Sequence, residues 1–174
     1  MVKFLDLKGK LLIASSALVD ENFHQAVIFV IEHDARGSYG LIVNHELHDD
    51  PLRRENLRIF RGGPVESEMV FVLHANPAHT SDAALADGVY FEKEAEIIQH
   101  VIVGQQPFRF YRGYAGWSTG QLEHEIHSNS WIILNATKET IFHEYGVDLW
   151  RRCLIDKGGL FRHFALTHKD VSLN

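Results

Sequence analysis

A single cysteine, Cys153, has no second thiol to pair with inside the chain. No disulfide framework can form, which points to a reducing compartment and to the cytoplasm. Only four prolines occur in 174 residues, and there is no Pro/Gly/Ser linker, internal repeat or low-complexity tract. The expected organisation is therefore one domain over residues 1–174, large enough to bury a core without metals or disulfides. Positive charge is also in short supply. Lys and Arg number 17 against 23 Asp and Glu, a net charge of −6, which disfavours nucleic acid and anionic membrane as partners. No apolar run approaches the ~20 residues of a membrane span. Lys3, Lys8 and Lys10 before the run 11–19 imitate a signal peptide, but Asp6 and two serines inside the run argue for a strand and a loop instead.

Several motifs are missing as well. There is no Walker sequence, Gly-x-Gly-x-x-Gly pattern or Gly-x-Ser-x-Gly elbow, which weighs against the ordinary nucleotide folds and the serine hydrolases. Twelve histidines invite a metal. The near-motif His124-Glu125-Ile126-His127 has the wrong spacing, however, and His45, His48, Asp49 and Asp50 fix no third ligand. No metal and no cofactor is implied.

The residues that are present pattern as strands with irregularly interspersed helices. Leu11–Ala14 is a short apolar strand. The continuous β-branched run Ala26–Glu32 suits a central strand buried on both faces. A polar turn over Asp34–Tyr39 then returns the chain in Gly40–Asn44 as a hairpin. Residues 45–56 read as a loop, with Arg58–Arg61 and Val70–His74 as strands flanking Gly62-Gly63-Pro64. Asp87-Gly88 is a turn before Val89–Phe91, and Lys93–Ile102 has the single apolar stripe of a helix. Phe108–Tyr111 is a strand and Trp131–Leu134 another. Ser118-x-x-Gln121 fits a capping box and predicts a helix beginning at Ser118 or Thr119. Thr137 caps a helix over Lys138–His143, and Val147–Ile155 is a helix burying Val147, Trp150 and Leu154. The last ten or so residues carry no firm signal and are expected to fray. This order of elements predicts an α+β fold.

Four stretches are candidates for function, each with a plain structural alternative. Gly62-Gly63 is either an anion-binding backbone nest edged by Arg61 or a tight turn needing positive φ. Arg112-Gly113-Tyr114-Ala115-Gly116-Trp117-Ser118 is either a flexible strand end delivering an arginine and an indole beside a helix start, or core and cap. Glu123 and His127, four apart on one helix face, are either an acid–base pair or a solvated contact; Glu125 points elsewhere. Arg53, Arg54, Arg58 and Arg61 against Glu55 form a local +3 patch that reads as a solvated loop.

Three blocks of sequence resemble the YqgE/AlgH family. The first runs from Leu12-Ile13-Ala14-Ser15 through Asp20-x-x-Phe23 into Val27–His33 and Gly40-Leu41-Ile42-Val43-Asn44. The second is Gly62-Gly63-Pro64-Val65 with Phe71-Val72-Leu73-His74. The third is Gly113-Tyr114-Ala115-Gly116-Trp117 with Gly120-Gln121-Leu122-Glu123 and Trp131. Ser16 stands where the family usually has proline, and His45 where it commonly has arginine or lysine. The resemblance implies a compact domain with a small barrel-like or bifurcated β-sheet surrounded by helices. It also implies a non-enzymatic regulatory or binding protein that takes a small anionic ligand or a protein partner. The blocks converge, on this expectation, in a ligand site of Asn44, Gly62, Gly63, His74, Arg112, Tyr114, Trp117, Gln121 and Glu123. The alternative is a small hydrolase or transferase in which Arg112 holds an anionic substrate and Glu123 or His74 is the acid–base group.

Overall fold

The computed structural model describes residues 5–79, 83–93, 105–143 and 145–167. The helix expected over 93–102 lies almost wholly outside them. Nine strands form one mixed sheet: β1 (Lys10–Ala14), β2 (Val27–Asp34), β3 (Gly37–Ile42), β4 (Glu46–Leu47), β5 (Ile59–Arg61), β6 (Val65–His74), β7 (Tyr90–Glu92), β8 (Phe108–Ser118) and β9 (Trp131–Asn135). Four helices accompany it among the described residues: α1 (Gln121–His127), α2 (Lys138–Phe142), α3 (Gly146–Lys157) and α4 (Gly159–Thr167). The result is a curled, half-barrel α+β domain.

The main path of the sheet is β4-β5-β8-β3-β2-β1-β9, with β6 joined to β8 and β7 to β6. All pairs are antiparallel except β5 with β8. The two-sided burial expected of β2 is observed. Val27, Phe29 and Ile31 face one hydrophobic cluster, while Ala26, Ile28 and Val30 face another. The period of two along a strand makes this division automatic. The first cluster is closed by α3, through Leu149, Trp150, Cys153 and Leu154. The second is closed by α1, through Leu122, against Trp117 and Trp131. Each fully buried side chain of this size contributes about 1.5–3 kcal/mol, so both faces of the sheet are held firmly.

Four local expectations are corrected. The β2–β3 turn is tighter than the Asp34–Tyr39 loop, because Asp34 pairs directly with Gly37 and leaves Ala35-Arg36 as the connection. Residues 113–117 are no flexible strand end. β8 runs on to Ser118, since Gly37 through Gly40 of β3 pair with Ser118 back to Ala115. That pairing delays the next helix, which starts at Gln121 after Gly120 in the left-handed region at φ 75°. Half of the capping box survives: the Ser118 N–H and hydroxyl donate to Gln121 Oε1 at 3.0 and 3.2 Å. Finally, α4 extends through Thr167 where the sequence signals no helix, and Trp150 and Phe164 meet edge-to-face at 6.1 Å. The Thr137 cap is as expected, its hydroxyl accepting from the Thr140 N–H at 3.1 Å. Val147 is only half-buried, and Leu149 and Cys153 carry the burial of α3 alongside Trp150 and Leu154.

Strand β8 is the hub. Residues 110–112 pair with β5 on one edge and with β6 on the other. The chain between those strands, Gly62-Gly63-Pro64, must therefore pass across β8 from edge to edge in three residues. The Gly62 N–H donates to the Arg112 carbonyl at 2.7 Å, and the Ile42 N–H to the Gly62 carbonyl at 2.8 Å. Neither Gly62 nor Gly63 has positive φ, so the tight-turn explanation of this pair does not hold. Close approach of two backbones is what demands glycine here.

The arginine–aromatic cleft and the expected site residues

The residues singled out in the sequence occupy several distinct places. Asn44 is 1% exposed. Its side chain accepts from the Val27 N–H at 2.8 Å and donates to the carbonyls of Gln25 and Gly146 at 2.9 and 3.0 Å. It ties β2 to the start of α3. His74 is fully buried, its Nδ1 accepting from the Asn76 N–H at 3.1 Å and its ring stacked on Tyr90. Its Nε2 lies 3.7 Å from Glu92.

Arg112 donates to Asp50 at 2.9 Å and to the Glu68 carbonyl at 3.0 Å. Burial alone would raise the Asp50 carboxyl, but the Arg112 guanidinium and the Leu52 N–H hold it below its usual range. Because β8 stays extended, Arg112 and Trp117 are separated by about 16 Å of strand. Tyr114 and Trp117 border a shallow groove with Glu32, Asp34, Arg36 and Tyr39. Arg36 is held by Asp34 at 2.8 Å, and burial, followed by the charge of Glu32, raises the Tyr39 hydroxyl. An anion entering this groove meets two carboxylates.

Glu123 lies 3.7 Å from His33 Nε2. The carboxylate that organises α1 is its neighbour Glu125. A single oxygen of Glu125 accepts from the indole N–H groups of Trp117 and Trp131 at 2.8 and 2.7 Å, and its other oxygen accepts from Gln121 at 2.9 Å. Gln121 is thus engaged with Glu125 and Ser118.

A concavity of about 630 Å³ lies elsewhere, between the segments around residues 55–60, 105–109 and 142–145. Its walls include Phe60, Phe108, Phe142 and Tyr145, and two arginines stand among them with one carboxylate, Glu55. The Arg58 guanidinium lies 4.2 Å from the Tyr145 ring centre. Arg109 lies 4.7 Å from the Phe60 ring and 5.9 Å from that of Tyr145. Arg109 is 8% exposed and donates to the Phe142 carbonyl at 2.7 Å and the Val43 carbonyl at 3.4 Å. Burial, with the nearby Arg58 charge, lowers the Arg109 guanidinium from its ordinary value; an arginine nevertheless stays protonated at neutral pH. Arg58 is half-exposed, its ion pair with Glu46 a long 3.9 Å.

In the sequence Arg58 reads as part of a solvated patch, and nothing assigns Arg109 a role. The signal for Arg109 was its place in Phe108-Arg109-Phe110, a charge inside an aromatic strand run. Among the described residues, no three metal-ligating side chains gather, and no helix is long and apolar enough to cross a membrane.

Beside the loop that leads into β4, burial lowers the His45 imidazole; backbone hydrogen bonding at His24 opposes this and the Arg61 charge adds to it. A histidine depressed in the fold binds its proton first in the unfolded chain. Its stabilising effect is therefore present above the ordinary value near 6.5 and is lost as pH falls below it. His45→Gln is expected to flatten the decline in melting temperature between about pH 7.5 and 5. An unchanged slope would show that His45 does not contribute.

The fold and cleft together define a half-barrel α+β domain with a cationic, aromatic-walled concavity. This chain belongs to the AlgH-like family, whose model matches residues 11–162. It is 31% identical over 185 residues to a UPF0301 protein of Chlorobium limicola, with 95% of each chain covered. A UPF0301 protein of Ralstonia pickettii is 35% identical over 156 residues, covering 79% of this chain and 81% of that one. The solution structure of the AlgH protein from Pseudomonas aeruginosa superposes with a TM-score of 0.73 at 24% identity, covering 99% of this chain and 100% of that one. A crystal structure of a Corynebacterium diphtheriae protein superposes at 0.76 with 20% identity, covering 95% and 94%. These two likenesses establish the fold.

Proposed function

We propose that this chain is a cytoplasmic binding protein with a regulatory role whose ligand is a small anion, held in the arginine–aromatic cleft. The observation that carries the reading is the pairing of Arg58 and Arg109 on the aromatic walls of one concavity. Two like charges brought near each other raise the energy of the empty site, and an anion between or beside them relieves it. Low-dielectric walls strengthen that attraction. Arg112 is paired closely with Asp50 at 2.9 Å, where the Glu46 partner of Arg58 stands off at 3.9 Å, and the groove beside Tyr114 and Trp117 is acidic. The cleft is therefore the better place for an anion than the corner expected from the sequence blocks.

Isothermal titration with inorganic phosphate and with citrate tests this. At least one of them is expected to bind, and Arg58→Ala to weaken that binding about tenfold, as loss of one charge-assisted hydrogen bond does. Stability without ligand should change by no more than about 0.5 kcal/mol, because Arg58 is half-exposed. Arg112→Ala should leave the affinity intact. If Arg112→Ala abolishes binding and Arg58→Ala does not, the site is at the Arg112 corner and the cleft reading fails.

A further inference from the structure

In the cleft two neighbouring rings each carry a guanidinium. Phe60 carries Arg109 at 4.7 Å, Tyr145 stands edge-on to Phe60 at 6.2 Å, and Arg58 lies over Tyr145 at 4.2 Å. The array ends in solvent at Arg58, whose side chain is 46% exposed. A planar guanidinium with an open face is a stacking surface for a further ring. The cleft is also larger than a bare anion needs, its 630 Å³ lying within the range of about 300–1,000 Å³ typical of small-molecule sites. At the rim stand Asn56, Gln105 and Gln106, three amides that offer both donors and acceptors.

From this arrangement, and resting on the small-anion reading above, we infer that the ligand class is a heteroaromatic ring bearing a phosphate, that is, a nucleoside monophosphate. The ring stacks on the outer face of Arg58, opposite Tyr145. The phosphate takes the positive charge of the two arginines, and the amides meet the polar edge of the ring. The physical requirement is joint: the ring alone lacks the charge, and the phosphate alone leaves the outer face of Arg58 uncovered.

The test compares adenosine 5′-monophosphate, adenosine and ribose 5-phosphate by titration calorimetry on the full chain. The monophosphate is expected to bind about tenfold or more tightly than either fragment, the usual worth of one stacked base. Arg58→Lys keeps the charge but removes the planar stacking face. It should erase most of the preference for the monophosphate while sparing ribose 5-phosphate. Tyr145→Leu should act in the same direction, with circular dichroism confirming the fold. If ribose 5-phosphate binds as tightly as the monophosphate, the ring contributes nothing; the inference is then overturned while the small-anion reading stands. If neither phosphate, citrate nor any of these compounds binds, both fall together.

Discussion

Gly63→Ala is expected to be severely destabilised. A β-carbon at Gly63 would sit well under 3.0 Å from the Tyr114 carbonyl and the Ala115 nitrogen, and one at Gly62 would do the same against the Gly113 carbonyl. These obstacles are backbone atoms of β8, pinned by β3 and β6, so neither chain can move aside without breaking its ladders. The cost is of order 4 kcal/mol or more, at the diagnostic end of single substitutions. That is a large share of the ~5–15 kcal/mol that holds a domain together. For a chain of this length, about 10 °C or more of melting temperature should be lost. Gly120→Ala supplies the control. It adds the strain of an alanine at φ 75°, which Gly63 does not have, but a β-carbon there meets nothing within 4 Å, so it should cost only about 1 kcal/mol. Equal melting temperatures for the two variants would refute the crossing as the reason for the glycine pair.

Replacing Glu125 with alanine is expected to be the most destabilising change on α1. Its carboxylate holds Trp117 and Trp131, which are 6% and 4% exposed, on a single oxygen. Bonds to a charged acceptor are worth about 1.5–3 kcal/mol each, and each indole N–H left without a partner adds a desolvation penalty. Allowing for water reaching the half-buried site, the loss is about 3 kcal/mol. Glu125→Gln keeps an acceptor oxygen and should cost about 1 kcal/mol. Denaturant unfolding followed by tryptophan fluorescence reads both, since the reporters are the affected rings. A Glu125→Ala variant within 0.5 kcal/mol of wild type would show that the aromatic cluster of Phe23, Trp117 and Trp131 stands without its carboxylate.

Where local chemistry suffices, the amino-acid sequence determined the outcome by itself. The β-branched run of β2 buries both faces because alternate residues point to opposite sides. Thr137 begins α2 because a hydroxyl at that position satisfies a free N–H. One cysteine and no linker describe one disulfide-free unit, and three spaced blocks identify the family. The tertiary structure alone decided how distant segments meet. Gly62 and Gly63 look like a turn until β5 and β6 are seen on opposite edges of β8. Glu125 looks solvated until β8 and β9 deliver two indoles to it. The candidate cleft draws on segments about 35 to 50 residues apart, so no periodicity links Arg58, Arg109 and Tyr145. β8 stays extended over Gly113–Trp117 because pairing with β3 and β6 overrides the freedom that two glycines give an isolated chain. Local signals record what a residue prefers; which atoms stand opposite it is set by strand register and chain crossing, and those are properties of the whole fold.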